Sequence, residues 1–408
     1  MEENNMTILE RFINYVTLDT QSDADSPTQP STRKQMNLLT LLVKELNDLG
    51  VKDVRLDDQG YIYGSLPSNT DKKMPKIGFL AHVDTASEMS GKDVKPQVIP
   101  NYNGQRIALL GTPGVFLDPK QFPELKFHRK KTIVTTDGTT LLGADDKAGC
   151  AIIMTLIETL LKQPEIPHGE IKFAFTTDEE IGRGVKAFDV KAFGADFAYT
   201  LDGGAIDEIN YENFNASSAV LSIQGQAIHP GSAKDKMINA QTVAMEFHAL
   251  LPKKMTPAHT EKYQGFIHMT ESTGSVEKAE LRYIIRDHDM KKLQAKEMLM
   301  KEAFAIIQQR YGKNIGQLTI KPSYKNMKPM VDKYPISIER AKQAYRQEKL
   351  PLKAVPIRGG TDGANLTFMG IVTPNLATGG YNYHGKYEYW VVEDGLRMVD
   401  VLLAILKP

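Results

Sequence analysis

The sequence predicts an α/β fold: one discontinuous domain, residues 1–213 and 325–408, interrupted by a self-contained α+β insertion over 214–324. Three observations lead there. Short apolar runs alternate with helical periodicity on both sides of the chain's middle. Acids and histidines recur where those runs stop. Between them lies a stretch with a different strand–helix rhythm and few chemical side chains. At 408 residues the chain exceeds one ordinary core and has room for two or three domains.

The elements follow in order. Thr7-Ile8-Leu9-Glu10 has the form of a capping box and opens a helix with Ile8, Phe12 and Val16 on one face. A second helix is expected from near Ser31, carrying Met36, Leu39, Leu42, Val43, Leu46 and Leu49, and Gly50 stops it. Residues 54–66 alternate and turn at Asp58-Gln59-Gly60, as a hairpin does. Then 77–81 runs into His82, 171–175 into Asp178-Glu179-Glu180, and 197–201 into Asp202, with a helix over 148–161 between the first two. In sheets of this kind ligands gather at the carboxyl ends of strands, so side chains placed there are an architectural signal.

From 214 the pattern changes. Strand-like 219–224, helical 239–251, strand-like 265–270 and 279–286, a long helix over 290–311 and a last strand over 318–323 give β-α-β-β-α-β, the ferredoxin-like order. After Tyr324 the α/β rhythm resumes through 353–357 and 371–376 and ends in a helix over 393–406.

Composition narrows the function classes. Lys and Arg number 50, as do Asp and Glu, and zero net charge argues against nucleic acid or an anionic membrane as the main partner. The single cysteine, Cys150, cannot form an intramolecular disulfide; its apolar neighbours Ala151-Ile152-Ile153-Met154 read as packing, and its solitude fits a reducing compartment. The N-terminus has no basic stretch leading into an apolar one, and no run approaches the ~20 apolar residues of a membrane span. A cytoplasmic location is therefore expected.

Three familiar signatures fail. The chain has neither His-Glu-x-x-His nor Gly-x-Ser-x-Gly. Gly380-Tyr381-Asn382-Tyr383-His384-Gly385-Lys386 approaches a P-loop, but Tyr387 stands where Ser or Thr is required and no helix follows. What remains is a set of acids and histidines at strand ends. His82 and Asp84, two apart on an extended chain, face one side and suit a metal-bound imidazole with an orienting carboxylate; a hydrogen-bonded strand end reads as well. Asp145-Asp146 sits where strand turns to helix, so capping competes with ligation. Asp178-Glu179-Glu180 places three acids at a buried rim, where they repel unless cations offset them, or else forms a solvated turn. If the acids do face cations, adjacent carboxylates can divide the labour, one on metal and one moving a proton. Asp202 precedes Gly203-Gly204, and His384 lies in a glycine- and tyrosine-rich loop able to bring a ligand from afar.

Together Ala81-His82-Val83-Asp84-Thr85, Gly143-Ala144-Asp145-Asp146-Lys147-Ala148-Gly149, Thr177-Asp178-Glu179-Glu180-Ile181-Gly182 and Thr200-Leu201-Asp202-Gly203-Gly204 resemble the two-zinc exopeptidase superfamily containing aminoacylase, carboxypeptidase G and succinyl-diaminopimelate desuccinylase. Within it, Glu179-Glu180-Ile181-Gly182-Arg183-Gly184, Arg358-Gly359-Gly360-Thr361-Asp362-Gly363 and the segment from Gly380 to Glu388 are most similar to the peptidase T family of tripeptide aminopeptidases. The resemblance covers nearly the whole chain in the right order.

That resemblance implies a zinc-exopeptidase-like catalytic domain, its mixed sheet flanked by helices, with 214–324 as a ferredoxin-like lid. Asp145 is implied to bridge two zinc ions, with His82 and Asp202 completing one set of ligands and Glu180 and His384 the other. Asp84 is implied to orient His82, and Glu179 to be general base and acid. His229, in Ala227-Ile228-His229-Pro230-Gly231, resembles a lid histidine that binds the substrate carbonyl and developing oxyanion. Arg286 and Arg358 resemble residues that hold a peptide's carboxylate or backbone, though a strand salt bridge and loop packing explain them equally well. Asp287-His288-Asp289 is read as a solvated strand end with no ligand role. The expected activity is removal of the N-terminal residue from tripeptides, by a monomer or a homodimer formed through the lid, with a small peptide as the only partner. A dipeptidase, a carboxypeptidase or an N-acyl amino acid deacylase keeps the same chemistry with another substrate. A zinc-dependent peptide-binding protein without turnover is the more distant alternative.

Overall fold

The computed structural model describes residues 6–408. The chain forms two compact units, one comprising residues up to Tyr211 with Pro329–Val355 and Thr361–Pro408, the other Glu212–Lys328 with Pro356–Gly360.

In the first unit the helix Ile8–Val16 begins at a reciprocal capping box, Glu10 N donating to Thr7 Oγ1 at 3.2 Å and Thr7 N to Glu10 Oε2 at 2.7 Å. Ile8, Phe12 and Val16 are buried, as their spacing predicts, and so is Arg11, which pairs with Glu45 and Glu158. The second helix is Gln35–Asp48, starting later than the sequence suggests. Ser31 is otherwise engaged, its N–H and hydroxyl donating to the two oxygens of Asp178 at 2.7 and 2.5 Å. Gly50 ends that segment at φ +86°, a left-handed conformation that favours glycine.

Among the described residues the larger sheet has eight strands, in the order Asp53–Leu56, Ile62–Leu66, Ile171–Thr176, Ile77–His82, Phe197–Gly203, Asn375–Ala377, Glu208–Asn210 and Lys353–Ala354. The four in the middle run parallel, and antiparallel pairs on either side make the sheet mixed. All six residues of Ile77–His82 are buried, as a central parallel strand requires. The helix Ala144–Lys162 packs on this strand and on Phe197–Gly203. It comes so close that a Cβ on Gly149 would lie 2.1 Å from the carbonyl oxygen of Leu201. Cys150, on the same helix, is fully buried. Two strands expected late in the chain are shorter than their apolar runs: of 371–376 only Asn375 and Leu376 pair, in the strand Asn375–Ala377, and of 353–357 only Lys353–Ala354 pairs in this sheet.

Nothing in the sequence announces a second, antiparallel sheet in this unit, ordered Gly380–Tyr381, Tyr389–Val391, Ile133–Thr135, Gln97–Ile99. Its strands are two or three residues long, too short for a periodicity to register. It fixes the hairpin that carries His384, and the buried Trp390 secures it by donating to Thr378 O at 2.9 Å.

The second unit has the expected β-α-β-β-α-β order: Asn215–Gln224, Ala240–Leu250, Phe266–Gly274, Lys278–Asp287, Met290–Tyr311 and Gly316–Tyr324. Its strands pair antiparallel in the order Phe266–Gly274, Lys278–Asp287, Asn215–Gln224, Gly316–Tyr324. Leu221, Ile223, Leu281 and Ile285 pack with Phe247, Met300 and Ile307 of the two helices. Here one expectation is corrected. Asp287-His288-Asp289 is not a solvated strand end: Asp287 and His288 are buried. Lys296 reaches back from the following helix to Asp287 Oδ2 at 2.6 Å, and the His288 ring lies 4.3 Å from that of Phe214. Asp289 alone is exposed, and it caps the helix by accepting from Lys292 N at 3.0 Å. No helix among the described residues is long and apolar enough to cross a membrane.

Candidate metal centre

The parallel strands explain the site. Ile171–Thr176, Ile77–His82 and Phe197–Gly203 are adjacent and point the same way, with His82 opposite Thr176. Three segments far apart in sequence therefore deliver His82, Glu179-Glu180 and Asp202 to one edge. Asp145 arrives from the start of the helix Ala144–Lys162, where its φ and ψ of −86° and 103° and those of Asp146 are not helical. The two neighbours then part. Asp146 is buried and accepts from His82 N and Gly149 N, both at 3.2 Å, capping the helix. Asp145 turns to the histidines.

Asp145 Oδ1 lies 3.0 Å from His82 Nε2, and its Oδ2 lies 3.3 Å from His384 Nε2. Asp202 Oδ1 is 3.7 Å from His82 Nε2, and Glu180 Oε2 is 3.1 Å from His384 Nε2. His82, Asp145 and Asp202 thus form one group whose donor atoms lie within 4.8 Å of one another, and Asp145, Glu180 and His384 form a second. Asp145 belongs to both, offering one oxygen to each.

A layer of carboxylates supports these side chains. Asp84 is fully buried; its Oδ1 is 3.4 Å from His82 Nδ1, and its two oxygens accept from Glu179 N at 3.0 Å and Glu180 N at 3.2 Å. His82 Nδ1 lies nearer still to the backbone carbonyl oxygen of Asp84, at 3.1 Å, so that residue meets the ring with its main chain while its carboxylate holds the turn bearing two acids. Asp178 holds that turn from behind, bonded to Ser31 and to Gln35 Nε2 at 2.7 Å. Glu88 Oε1 lies 3.4 Å from His384 Nδ1.

The electrostatics are those of a cation site. Burial opposes charge on His82, yet its bonds to Asp145, Asp202 and Asp84 hold its pKa well above the ordinary imidazole value. Bonds to Asp145 and Glu180 push His384 up to about 11. Burial and then the charge of Asp145 raise Glu180 to about 8; burial raises Asp202 to about 6, against its bond to His82. Glu179 is driven well above the usual carboxylate range by burial and then by Asp202. Burial also opposes charge on Asp145, but its bonds to His384 and His82 outweigh it and hold the group below that range. Crowded acids of this kind are relieved by positive charge. Glu180 Oε1 is buried and lacks a hydrogen-bond partner, an orphan acceptor that a cation would satisfy. Two imidazoles and three carboxylates are the nitrogen and oxygen donors that divalent metals take. The residues fit a metal.

Two further carboxylates of the site are not among the residues that the sequence points to. Asp362 is buried near the cluster, bonded to Thr176 Oγ1 at 3.4 Å, and burial, opposed by His82 and reinforced by Asp202, lifts it to about 7. Glu388 is buried and accepts from three backbone N–H groups in the turn leading to Asp145. Both lie inside the motifs quoted above, but a lone acid in a glycine- or tyrosine-rich run carries no spacing signal of its own.

The second unit holds His229, Arg286 and Arg358. His229 is exposed, its Nδ1 accepting from Gly231 N at 3.1 Å. Arg286 donates to Ser217 O at 3.1 Å and Ile285 O at 3.0 Å. Arg358 donates to Lys262 O at 2.6 Å, Gln264 O at 2.9 Å, Thr260 O at 3.3 Å and Thr260 Oγ1 at 3.1 Å.

Known proteins agree with this architecture. The family described as "Peptidase dimerisation domain" matches residues 211–314, and "M42 glutamyl aminopeptidase" matches 126–251. "Peptidase T" of Clostridium acetobutylicum and that of a Geobacillus species are each 49% identical to this chain over 400 residues, 98% of both proteins in each case. The crystal structure of aminopeptidase PepT from Bacillus cereus superposes with a TM-score of 0.74 at 25% identity, covering 98% of this chain and 97% of that one. A tripeptidase from Staphylococcus aureus, 21% identical and covering 99% of each chain, shares the fold with a TM-score of 0.75. With near-half identity over almost its full length, the chain belongs to the peptidase T family.

Proposed function

We propose that this tripeptide aminopeptidase works with two metal ions, zinc in the first instance, held around Asp145. The observation that carries the reading is the division of the Asp145 carboxylate, Oδ1 facing His82 at 3.0 Å and Oδ2 facing His384 at 3.3 Å. It supports Asp145 as the shared ligand, His82 and Asp202 as partners on one side, and Glu180 and His384 on the other. Bound metal supplies Lewis acidity to a water and to the scissile carbonyl.

The remaining work falls to the chain. Asp84 keeps the His82 ring oriented, its backbone carbonyl at 3.1 Å and its carboxylate at 3.4 Å from Nδ1, and through the backbone N–H groups of Glu179 and Glu180 fixes the two acids to the same frame. Glu179 takes the proton of the attacking water and returns it to the leaving amine. In the second unit, His229 is the donor toward the substrate carbonyl, and its exposed ring leaves it accessible. Arg286 is proposed to hold the peptide's carboxylate or backbone, and Arg358 is the alternative holder. The first unit is the catalytic domain and the second a lid. The match of 211–314 to a peptidase dimerisation domain supports a homodimer formed through that second unit. The lone buried Cys150 supports a cytoplasmic location.

Glu179→Gln tests the centre of this reading. Metal content is expected to stay at the wild-type level while kcat on a free-amine tripeptide falls about 10²–10⁴-fold. A near-normal rate at full metal occupancy would remove Glu179 from its role. Assaying the wild-type enzyme on N-acetylated tripeptides and on dipeptides separates the aminopeptidase from a deacylase or dipeptidase, since only free-amine tripeptides should turn over.

A further inference from the structure

We propose that Glu388 is a positioning residue for the metal centre, holding Asp145 in place through the backbone before it. The inference rests on the reading of Asp145 as the shared ligand. Glu388 is 1% exposed, and its carboxylate is filled by backbone donors alone: Oε2 accepts from Leu142 N at 2.7 Å and Gly143 N at 2.9 Å, and Oε1 from Asp145 N at 3.1 Å. These donors lie 243–246 residues away in sequence, so the contact is a tertiary lock rather than a local turn.

The segment it grips needs an outside hold. Gly143 has φ +82° and Asp145 and Asp146 are not helical, so no helical ladder fixes their N–H groups, and Gly143 has no side chain to cap with. A buried ionised acceptor bonded to three N–H groups is stronger than neutral bonds of the same number. Glu388 also stands four residues after His384, and Glu388 N donates to Gly385 O at 3.1 Å, closing that loop on itself. The same residue therefore ties the loop of His384 to the turn of Asp145, the two ligands whose spacing sets the second group of donors. Asp84 does the equivalent for His82 and the Glu179–Glu180 turn.

Glu388→Gln isolates this role with almost no change of volume. With its carbonyl oxygen kept toward Leu142 and Gly143, the new amide meets Asp145 N–H donor to donor. The expected result is a folded enzyme whose apparent Kd for Zn²⁺, measured by chelator competition on metal-stripped protein, rises about 10–100-fold. At saturating Zn²⁺, kcat should fall while KM changes little. Glu393→Gln is the matched control, because Glu393 also accepts a backbone N–H (Thr132 N, 2.7 Å) but grips no ligand segment. It should lower the melting temperature and leave zinc affinity alone. Wild-type zinc affinity and kcat in folded Glu388→Gln would overturn the proposal and leave Glu388 a structural residue. If Glu388→Gln does not fold, Glu388→Asp, which keeps both oxygens but retracts them, gives the same test with a smaller expected loss of affinity. Unchanged affinity there is equally fatal. Zinc affinity that survives Asp145→Ala would instead sink the shared-ligand reading beneath it.

Discussion

The two units hold their candidate functional residues in opposite ways. In the first, His82, Asp145, Glu180 and Asp202 are largely buried; behind them Asp84 and Glu388 are spent on backbone N–H groups of the surrounding turns, and Asp178 on Ser31 and the Gln35 side chain. In the second, His229 is exposed on a short turn, and the guanidiniums of Arg286 and Arg358 are engaged with the unit's own carbonyls. A rigid, charge-crowded cluster is what metal binding requires, since ligands must hold their geometry before the ion arrives. Residues that meet a changing substrate need no such frame. The largest test of the contrast sets Asp145→Ala beside His229→Ala. Removing the carboxylate common to both donor groups should strip metal and drop activity below about one-thousandth of wild type, beyond the ~10–100-fold typical of an outer partner. Removing His229 should leave metal content whole and lower kcat by roughly 10²–10³-fold, as for the loss of one oxyanion donor. Metal loss in the His229 variant, by elemental analysis, would erase the distinction.

A smaller effect follows from the protons the cluster holds. His384, raised to about 11, and Glu180, raised to about 8, are both protonated at pH 7 before metal binds. Ligation requires a neutral imidazole and an ionised carboxylate, so these protons must leave. Metal affinity should therefore rise with pH, up to about 8 through Glu180 and beyond it through His384. Calorimetry at pH 7 in buffers of different ionisation enthalpy should report release of at least about one proton per chain. Heats that do not depend on the buffer would contradict this.

The contrast also explains what can be read from the sequence. His82, Glu179, Glu180 and Asp202 are legible because each follows an apolar run, and a parallel sheet gathers such ends at one edge. The β-α-β-β-α-β order of the second unit is legible because its strands and helices are long enough to show their periods. Glu388 and Asp362 are not, since their partners are backbone groups or residues nearly two hundred or more positions away. The second sheet leaves no trace because its strands span only two or three residues. Asp287 and His288 mislead because three polar residues in a row look solvated. Their burial depends on Lys296 and Phe214, which lie elsewhere in the chain.

Arg358 offers the finest test, because resemblance and geometry pull it apart. Resemblance makes it a holder of the peptide's carboxylate. Its guanidinium is committed to the carbonyls of Thr260, Lys262 and Gln264 and lies over the rings of Phe214 and Phe266 at 5.1 and 5.8 Å. A planar fork spread over three carbonyls cannot be reproduced by an ammonium. If bracing that loop is its whole role, Arg358→Lys should lower stability by roughly 1–3 kcal/mol in urea unfolding. The KM for tripeptides should then stay within about twofold, since binding to the peptide would be untouched. A KM raised about tenfold or more at an unchanged unfolding midpoint would point the other way. Arg358 would then release its carbonyls for substrate, and the second unit would hold a charged anchor after all.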